Sequence, residues 1–206
     1  MKATTLFIAL ITNVILLSSF DVIKLKAPDT TGGKPLMTAM KNRKTDRVFQ
    51  GKALSEKHLS ELMWVAYGVN RDNGKRTVPS ARALYPLQVY VVKADGIYLY
   101  NPHKHLLEPV KAGDYRKFCG TQDFVEKAPL NLIYIADYRK LTNMNDQQRA
   151  VYAGLDAAHC CQNVYLYCAS EGLKVVERAS VKGDELLKAI GLDVNYHFVI
   201  AQTVGY

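Results

Sequence analysis

Pro79-Ser80-Ala81-Arg82-Ala83-Leu84-Tyr85-Pro86 runs without a break into Leu87-Gln88-Val89-Tyr90-Val91-Val92-Lys93. Two prolines stiffen the first eight residues, since each fixes its own φ and restricts the residue before it. The small side chains of Ser80, Ala81 and Ala83 let a flat ring lie against the backbone. A rigid loop with no ligand is the plainer reading. The second stretch is rich in β-branched residues and predicts a strand. Ala94-Asp95-Gly96 turns the chain into another strand, Ile97–Tyr100, as a hairpin. Leu130–Ala136 is almost wholly apolar, which fits a central strand covered on both faces. His197–Val204 predicts the last strand.

Helical signals lie between these strands. Ser55 can cap a helix running to Tyr67, with Leu59, Leu62, Met63 and Ala66 at helical spacing and Gly68 as the stop. The longest helix spans about Asp146 to Glu171 and ends at Gly172. It carries small residues at Ala150, Gly154, Ala157, Ala158 and Cys161, which let another backbone come close. Shorter helices are expected over Pro35–Lys44 and Asp184–Ile190. Helices mixed with a hairpin predict an α+β fold, a central mixed or antiparallel sheet packed by helices.

The first 20 residues read differently. Lys2 precedes an apolar run from Leu6 to Leu17, then Ser18, Ser19, Phe20 and Asp21 follow. A basic start, a short apolar core and a polar exit make an export signal, and the run is short for a membrane span. A retained anchor or a buried helix is the alternative. Export to the periplasm is expected. Residues 21–35 are polar and Pro/Gly-rich and read as an arm with little structure of its own. The remaining span, 36–206, is expected to be one domain.

The 206 residues carry a net charge of +8, with 49% hydrophobic and 22% charged side chains, an ordinary globular balance. The positive charge is scattered except between Lys41 and Arg47, which points to a local anion site. No basic/aromatic stripe marks a nucleic-acid binder. Cys119, Cys160, Cys161 and Cys168 form no C-x-x-C pair, and the last three fall in the long helix as small core residues. His103-x-His105 is read as part of a surface loop, not a metal site. His159 is read as a packed histidine, Gly32-Gly33-Lys34 as linker, and Ser80 has no recognisable triad partners. No metal is expected.

Two further segments could meet a ligand. Arg43-Lys44-Thr45-Asp46-Arg47 offers three cations and a hydroxyl, a composition that suits a phosphate. A solvated basic turn is the plain alternative. Gly172–Ser180, with Glu177, Arg178 and Ala179, could face a ring with backbone amides and one cation. Its alternative is a helix-to-helix connection with a surface ion pair.

In order and spacing, the three segments together resemble the FMN-dependent nitroreductase family. An R-x-[ST]-x-R motif is matched by Arg43, Thr45 and Arg47. A P-S-x-x-x-x-[QY]-P loop is matched by Pro79, Ser80, Tyr85 and Pro86. A long helix with Q-N and small residues, then G-L, is matched by Gln162, Asn163, Ala169, Gly172 and Leu173. Trp64 to Asn70 resembles W-A-A-Y-G-x-N of the branch that contains the azoline-forming peptide dehydrogenases. The resemblance covers roughly Pro35 to Tyr206. It implies a homodimer with the long helix at the dimer interface and two FMN sites between the chains. Arg43, Lys44, Thr45 and Arg47 of one chain would hold the phosphate, ribityl chain and ring edge. Ser80, Ala81 and Ala83 would come from the other. Gln122 would meet the pyrimidine edge, and Arg178 and Ala179 would lie near flavin N5. The chain departs from the family pattern at Ala83, where Asn is common, and at Ala179, where Gly is common. The implied activity is ping-pong hydride transfer from NAD(P)H to a nitroaromatic, quinone or similar flat electrophile, with no catalytic side chain. The alternatives are a flavin-dependent dehydrogenase of a small molecule or peptide heterocycle, and a non-enzymatic binder of FMN or another flat ligand.

Overall fold

The computed structural model describes residues 20–206, so the expected export signal lies almost wholly outside the described residues. Seven strands form one sheet in the order β1-β4-β3-β2-β5-β7-β6. They are β1 (Ile23–Lys24), β2 (Leu87–Lys93), β3 (Gly96–Asn101), β4 (Leu106–Ala112), β5 (Leu130–Asp137), β6 (Lys174–Arg178) and β7 (Tyr196–Gly205). Every neighbouring pair is antiparallel. Helices α1 (Leu36–Asn42), α2 (Glu56–Tyr67), α3 (Phe124–Lys127), α4 (Asp146–Glu171) and α5 (Gly183–Ile190) pack around it. This is the expected α+β architecture.

The alternation along the strands divides the apolar residues between two faces. Leu87, Val89 and Val91 of β2 join Leu132 and Tyr134 of β5 in the core beneath α2 and α4. Tyr90 and Val92 join Ile133 and Ile135 on the other face, under α5 and the Cys119–Val125 segment. All eight residues of β5 are buried, as its sequence requires. The four cysteines are free and buried, which for those of the long helix agrees with their reading as core residues.

Caps set the helix limits. Ser55 Oγ accepts from His58 N at 3.1 Å, and Gly68 closes α2. Asn145 and Gln148 form a reciprocal capping box at the start of α4, and Gly172 ends it at φ +73°. Three strands went unforeseen, β1 of the arm among them. β4 contains Pro109, which argues against a strand by sequence; here the register shifts opposite it, where a missing N–H is tolerated. Residues 174–178 form the edge strand β6, not a connection between helices.

The 21–35 arm also differs from its sequence reading, because it adds β1 to the sheet edge. Phe20 packs on Tyr98 with ring centroids 5.0 Å apart. Beyond β1, the Lys26 carbonyl accepts from Ser60 Oγ and approaches His105 Nε2 at 3.0 Å. His105 Nδ1 meets Tyr100 OH at 2.9 Å, so both ring nitrogens are engaged within the protein. Among the described residues no group of three ligand-type side chains could hold a metal.

Burial lowers the His105 pKa below its ordinary value of about 6.5. The unfolded chain therefore binds this proton more readily than the folded one. The stability that neutral His105 contributes is full above the unfolded pKa and is lost as pH falls through the folded value. Acidification from pH 7.5 to 5 should loosen the arm, read as faster amide exchange at Ile23–Lys26. His105→Gln should flatten that pH dependence.

Candidate cofactor site

After α1 the chain runs along the outer edge of β6. Asp46 N donates to Val175 O at 3.0 Å, and Lys174 Nζ donates to Val48 O at 2.7 Å. Thr45 Oγ1 lies 3.0 Å from Tyr165 OH on α4, and that hydroxyl accepts from Glu177 N at 3.0 Å. The Arg43 guanidinium sits 5.4 Å from the centroid of the Tyr165 ring. Arg47 is exposed, and Lys44 reaches toward Asp46 at 3.9 Å. One tyrosine thus ties the basic segment to β6.

Beside this segment opens a cleft of about 570 Å³ whose wall includes Lys34, Lys41, Arg43, Lys44 and Lys174, against the single carboxylate of Asp46. Such a surplus of cations favours a phosphate-bearing ligand. Lys41 belongs to the basic cluster named from the sequence, whereas Lys34 and Lys174 were absent from the sequence-based site. Lys34 belongs to the arm and is brought in because its N–H donates to Ser170 Oγ at 2.7 Å.

The 79–86 loop is strained. Arg82, Ala83 and Tyr85 have φ of +52°, +54° and +44°. Left-handed backbone costs a residue with a side chain roughly 1–2 kcal/mol, and such strain concentrates at functional sites. The surroundings hold the loop in place. Ser80 Oγ accepts from Tyr85 N at 3.0 Å, and Lys140 Nζ donates to Tyr85 O at 3.2 Å. The buried Arg76 guanidinium lies between two rings, 3.9 Å from the centroid of Tyr67 and 4.7 Å from that of Tyr85. Asp156 of α4 stands beside Ser80; burial raises its carboxyl pKa, partly offset by the Ser80 hydroxyl. Ala83→Gly should relieve one strained position and stabilise the fold by about 1 kcal/mol, measured by chemical denaturation. Ala83→Val should destabilise it.

The Cys119–Phe124 segment, which carries Gln122, is the candidate third wall. Phe124 packs on Phe49, with centroids 5.7 Å apart, which links this wall to the basic segment. Gln122 Oε1 is buried with no hydrogen-bond partner among the described residues. An orphaned buried acceptor is costly and marks a place where a ligand N–H fits. Ala179 is exposed just beyond β6, whereas Arg178 turns away from solvent into the core. Arg178 makes no surface ion pair; it donates to Thr203, Asn131 and the Cys119 carbonyl.

These parts do not all meet within one chain. The basic segment is anchored at Tyr165 and the strained loop at Asp156, nine residues earlier on α4. That separates them by roughly 13 Å along the helix axis. Flanking these anchors, the outer face of α4 carries Val151 and Leu155 before Asp156 and Leu166 after Tyr165, with Leu155 52% exposed. Leu36, Met37 and Met40 of the neighbouring α1 are also exposed, Met37 at 74%. Taken one by one, the cationic cleft suits a phosphate, the orphaned acceptor a ring N–H and the small-residue loop a flat ring face.

Comparison with known proteins agrees with this geometry. A protein of Methanocaldococcus jannaschii that carries a nitroreductase name is 31% identical over 176 residues, 81% of this chain and 88% of its own. A Ralstonia eutropha structure described as a nitroreductase is 39% identical, with a TM-score of 0.85 over 90% of this chain and 89% of its own. A Desulfovibrio desulfuricans structure, described as a nitroreductase in complex with FMN, shares the fold at 20% identity, with a TM-score of 0.59 over 84% of this chain and 87% of its own. Residues 40–206 match the model of the nitroreductase family, a family of flavin-dependent oxidoreductases, and the chain belongs to that family.

Proposed function

We propose that this chain is an FMN-dependent oxidoreductase that works as a homodimer, taking hydride from NAD(P)H and passing it to a nitroaromatic, quinone or similar flat electrophile. The observation that carries the reading is the cleft whose wall gathers Lys34, Lys41, Arg43, Lys44 and Lys174 beside Thr45. It can neutralise a phosphate that a flavin nucleotide carries and a bare ring does not. The apolar outer face of α4 is where a second copy would pack, bringing its strained loop to the first chain's basic segment.

The roles of the side chains follow from their bonding. Tyr165 OH accepts from Glu177 N, so its own proton is directed to Thr45 Oγ1. The Thr45 proton is then left for a phosphate oxygen. Gln122 Oε1, buried without a partner among the described residues, would accept an N–H from the ring edge. Ser80 is occupied in bracing its loop, which leaves the backbone of Ala81–Ala83 as the surface against the ring. Arg47, in the basic segment, offers positive charge to the ring edge when electrons arrive. Bound FMN supplies two-electron chemistry at N5, and no side chain acts as a nucleophile.

The test is the visible spectrum of the purified protein. Flavin absorbance that bleaches on adding NADH or NADPH under nitrogen, and returns with a nitroaromatic or quinone, supports the reading. Protein that stays colourless after soaking in FMN contradicts it. Flavin that resists NAD(P)H but is reduced by an azoline or other small molecule moves the assignment to a dehydrogenase. Export remains part of the proposal on the strength of Lys2 and the Leu6–Leu17 run. The intact mass of the secreted chain should place its first residue near Phe20.

A further inference from the structure

Arg178 carries its charge into the protein interior and meets no carboxylate there among the described residues. Nε and Nη2 donate to Thr203 Oγ1 at 3.0 and 2.7 Å, and Nη2 to Asn131 Oδ1 at 2.9 Å. Nη1 donates to the Cys119 carbonyl. Every acceptor is neutral. Burial pulls its pKa down only to about 10, so the cation persists at neutral pH. A buried charge without a counter-charge is strongly disfavoured, and groups kept in that state cluster at functional sites.

Its position is telling. Arg178 ends β6, and the preceding residue, Glu177, gives its N–H to the hydroxyl of Tyr165 that Thr45 shares. Successive strand residues face opposite sides, so the guanidinium lies directly behind the strand that carries the basic segment. It also grips the third wall. The carbonyl it holds belongs to Cys119, three residues before Gln122, and a side chain at Gly120 would run into Nη1. Asn131 extends the link, donating from Nδ2 to Val125 O at 3.2 Å.

Resting on the FMN reading above, we infer that Arg178 is a positioning and electrostatic tuning residue: its uncompensated charge behind β6 favours the reduced, more negative form of the cofactor over the oxidised form and raises its potential. The layers on a sheet lie roughly 10 Å apart. A unit charge acting over that depth at an effective dielectric of about 20 changes the ratio of the two affinities by about tenfold. That equals about 30 mV for a two-electron couple.

The experiment is a spectroelectrochemical titration of FMN-loaded protein, native and variant. Arg178→Met removes the charge. Asn131→Asp keeps the arginine but places a carboxylate against it. Thr203→Val removes two of its hydrogen bonds and leaves the charge. The potential should fall by about 30 mV, the tenfold change above, in Arg178→Met and Asn131→Asp, and stay near the native value in Thr203→Val. Asn131→Asp decides the matter if Arg178→Met does not fold. An unchanged potential in Asn131→Asp, or an equal fall in Thr203→Val, overturns the inference and leaves a structural role. A native chain that takes up no FMN removes the functional reading and this inference with it.

Discussion

Arg43→Ala combined with Arg47→Ala should weaken FMN binding by about 10²–10⁴-fold while leaving the fold intact. Each charged hydrogen bond to a phosphate or ring oxygen is worth roughly 1.5–3 kcal/mol, and two of them account for that range. The fold survives because both side chains are exposed, and the Arg43 contact with the Tyr165 ring is a surface one. Fluorescence titration of the apoprotein with FMN measures the loss. The effect should shrink at high salt, since exposed charges are screened. Riboflavin, which has no phosphate, should bind native protein and the single variant Arg43→Ala about equally. An affinity within threefold of native would mean the ligand phosphate lies elsewhere.

Leu155→Arg should produce a monomer that no longer retains flavin. Leu155 stands half-exposed on the outer face of α4, beside the anchor of the strained loop at Asp156 and N-terminal to that of the basic segment at Tyr165. In a two-fold contact the same residue occurs twice. Losing two buried leucines removes roughly 3–6 kcal/mol of apolar burial per dimer, before the cost of burying two cations is counted. Light scattering should report the chain mass in place of twice that mass. The denaturation midpoint of the monomer itself should move little, because Leu155 is not in its core. A dimer that persists, or a monomer that still holds FMN, would show that this face does not complete the site.

The elements that could be read from sequence are those whose limits are set locally. α2 and α4 begin at Ser55 and Asn145 and end at Gly68 and Gly172, and each of these residues acts through bonds within its own turn. β2 and β5 announce themselves through continuous apolar and β-branched runs. β4 was hidden by Pro109, which is admitted only because the partner strand shifts register there. β6 offers only Val175 and Val176 as an apolar signal, and it is a strand by virtue of β7 beside it.

The site divides along the same line. Arg43, Thr45, Ser80 and Tyr85 could be named because they sit in short motifs. Lys34 and Lys174 could not, since they are far apart in sequence and meet only after the arm is anchored at Ser170. Nor does sequence tell which way a strand side chain faces at a sheet edge, and Arg178 faces inward. The positive φ at Arg82, Ala83 and Tyr85 also has no sequence marker, because none of them is glycine.

Sharing of one site between two chains is tested most directly by a mixed dimer. One chain carries Arg43→Ala with Arg47→Ala; the other carries Ala81→Trp with Ala83→Trp; differently tagged copies are co-expressed and the heterodimer is isolated. If each site takes its basic segment from one chain and its loop from the other, one site has both native halves and the heterodimer binds one FMN per pair of chains. Each homodimer binds none tightly. If the site lies within a single chain, both sites of the heterodimer carry a defect, and a heterodimer as empty as its parents would contradict the account.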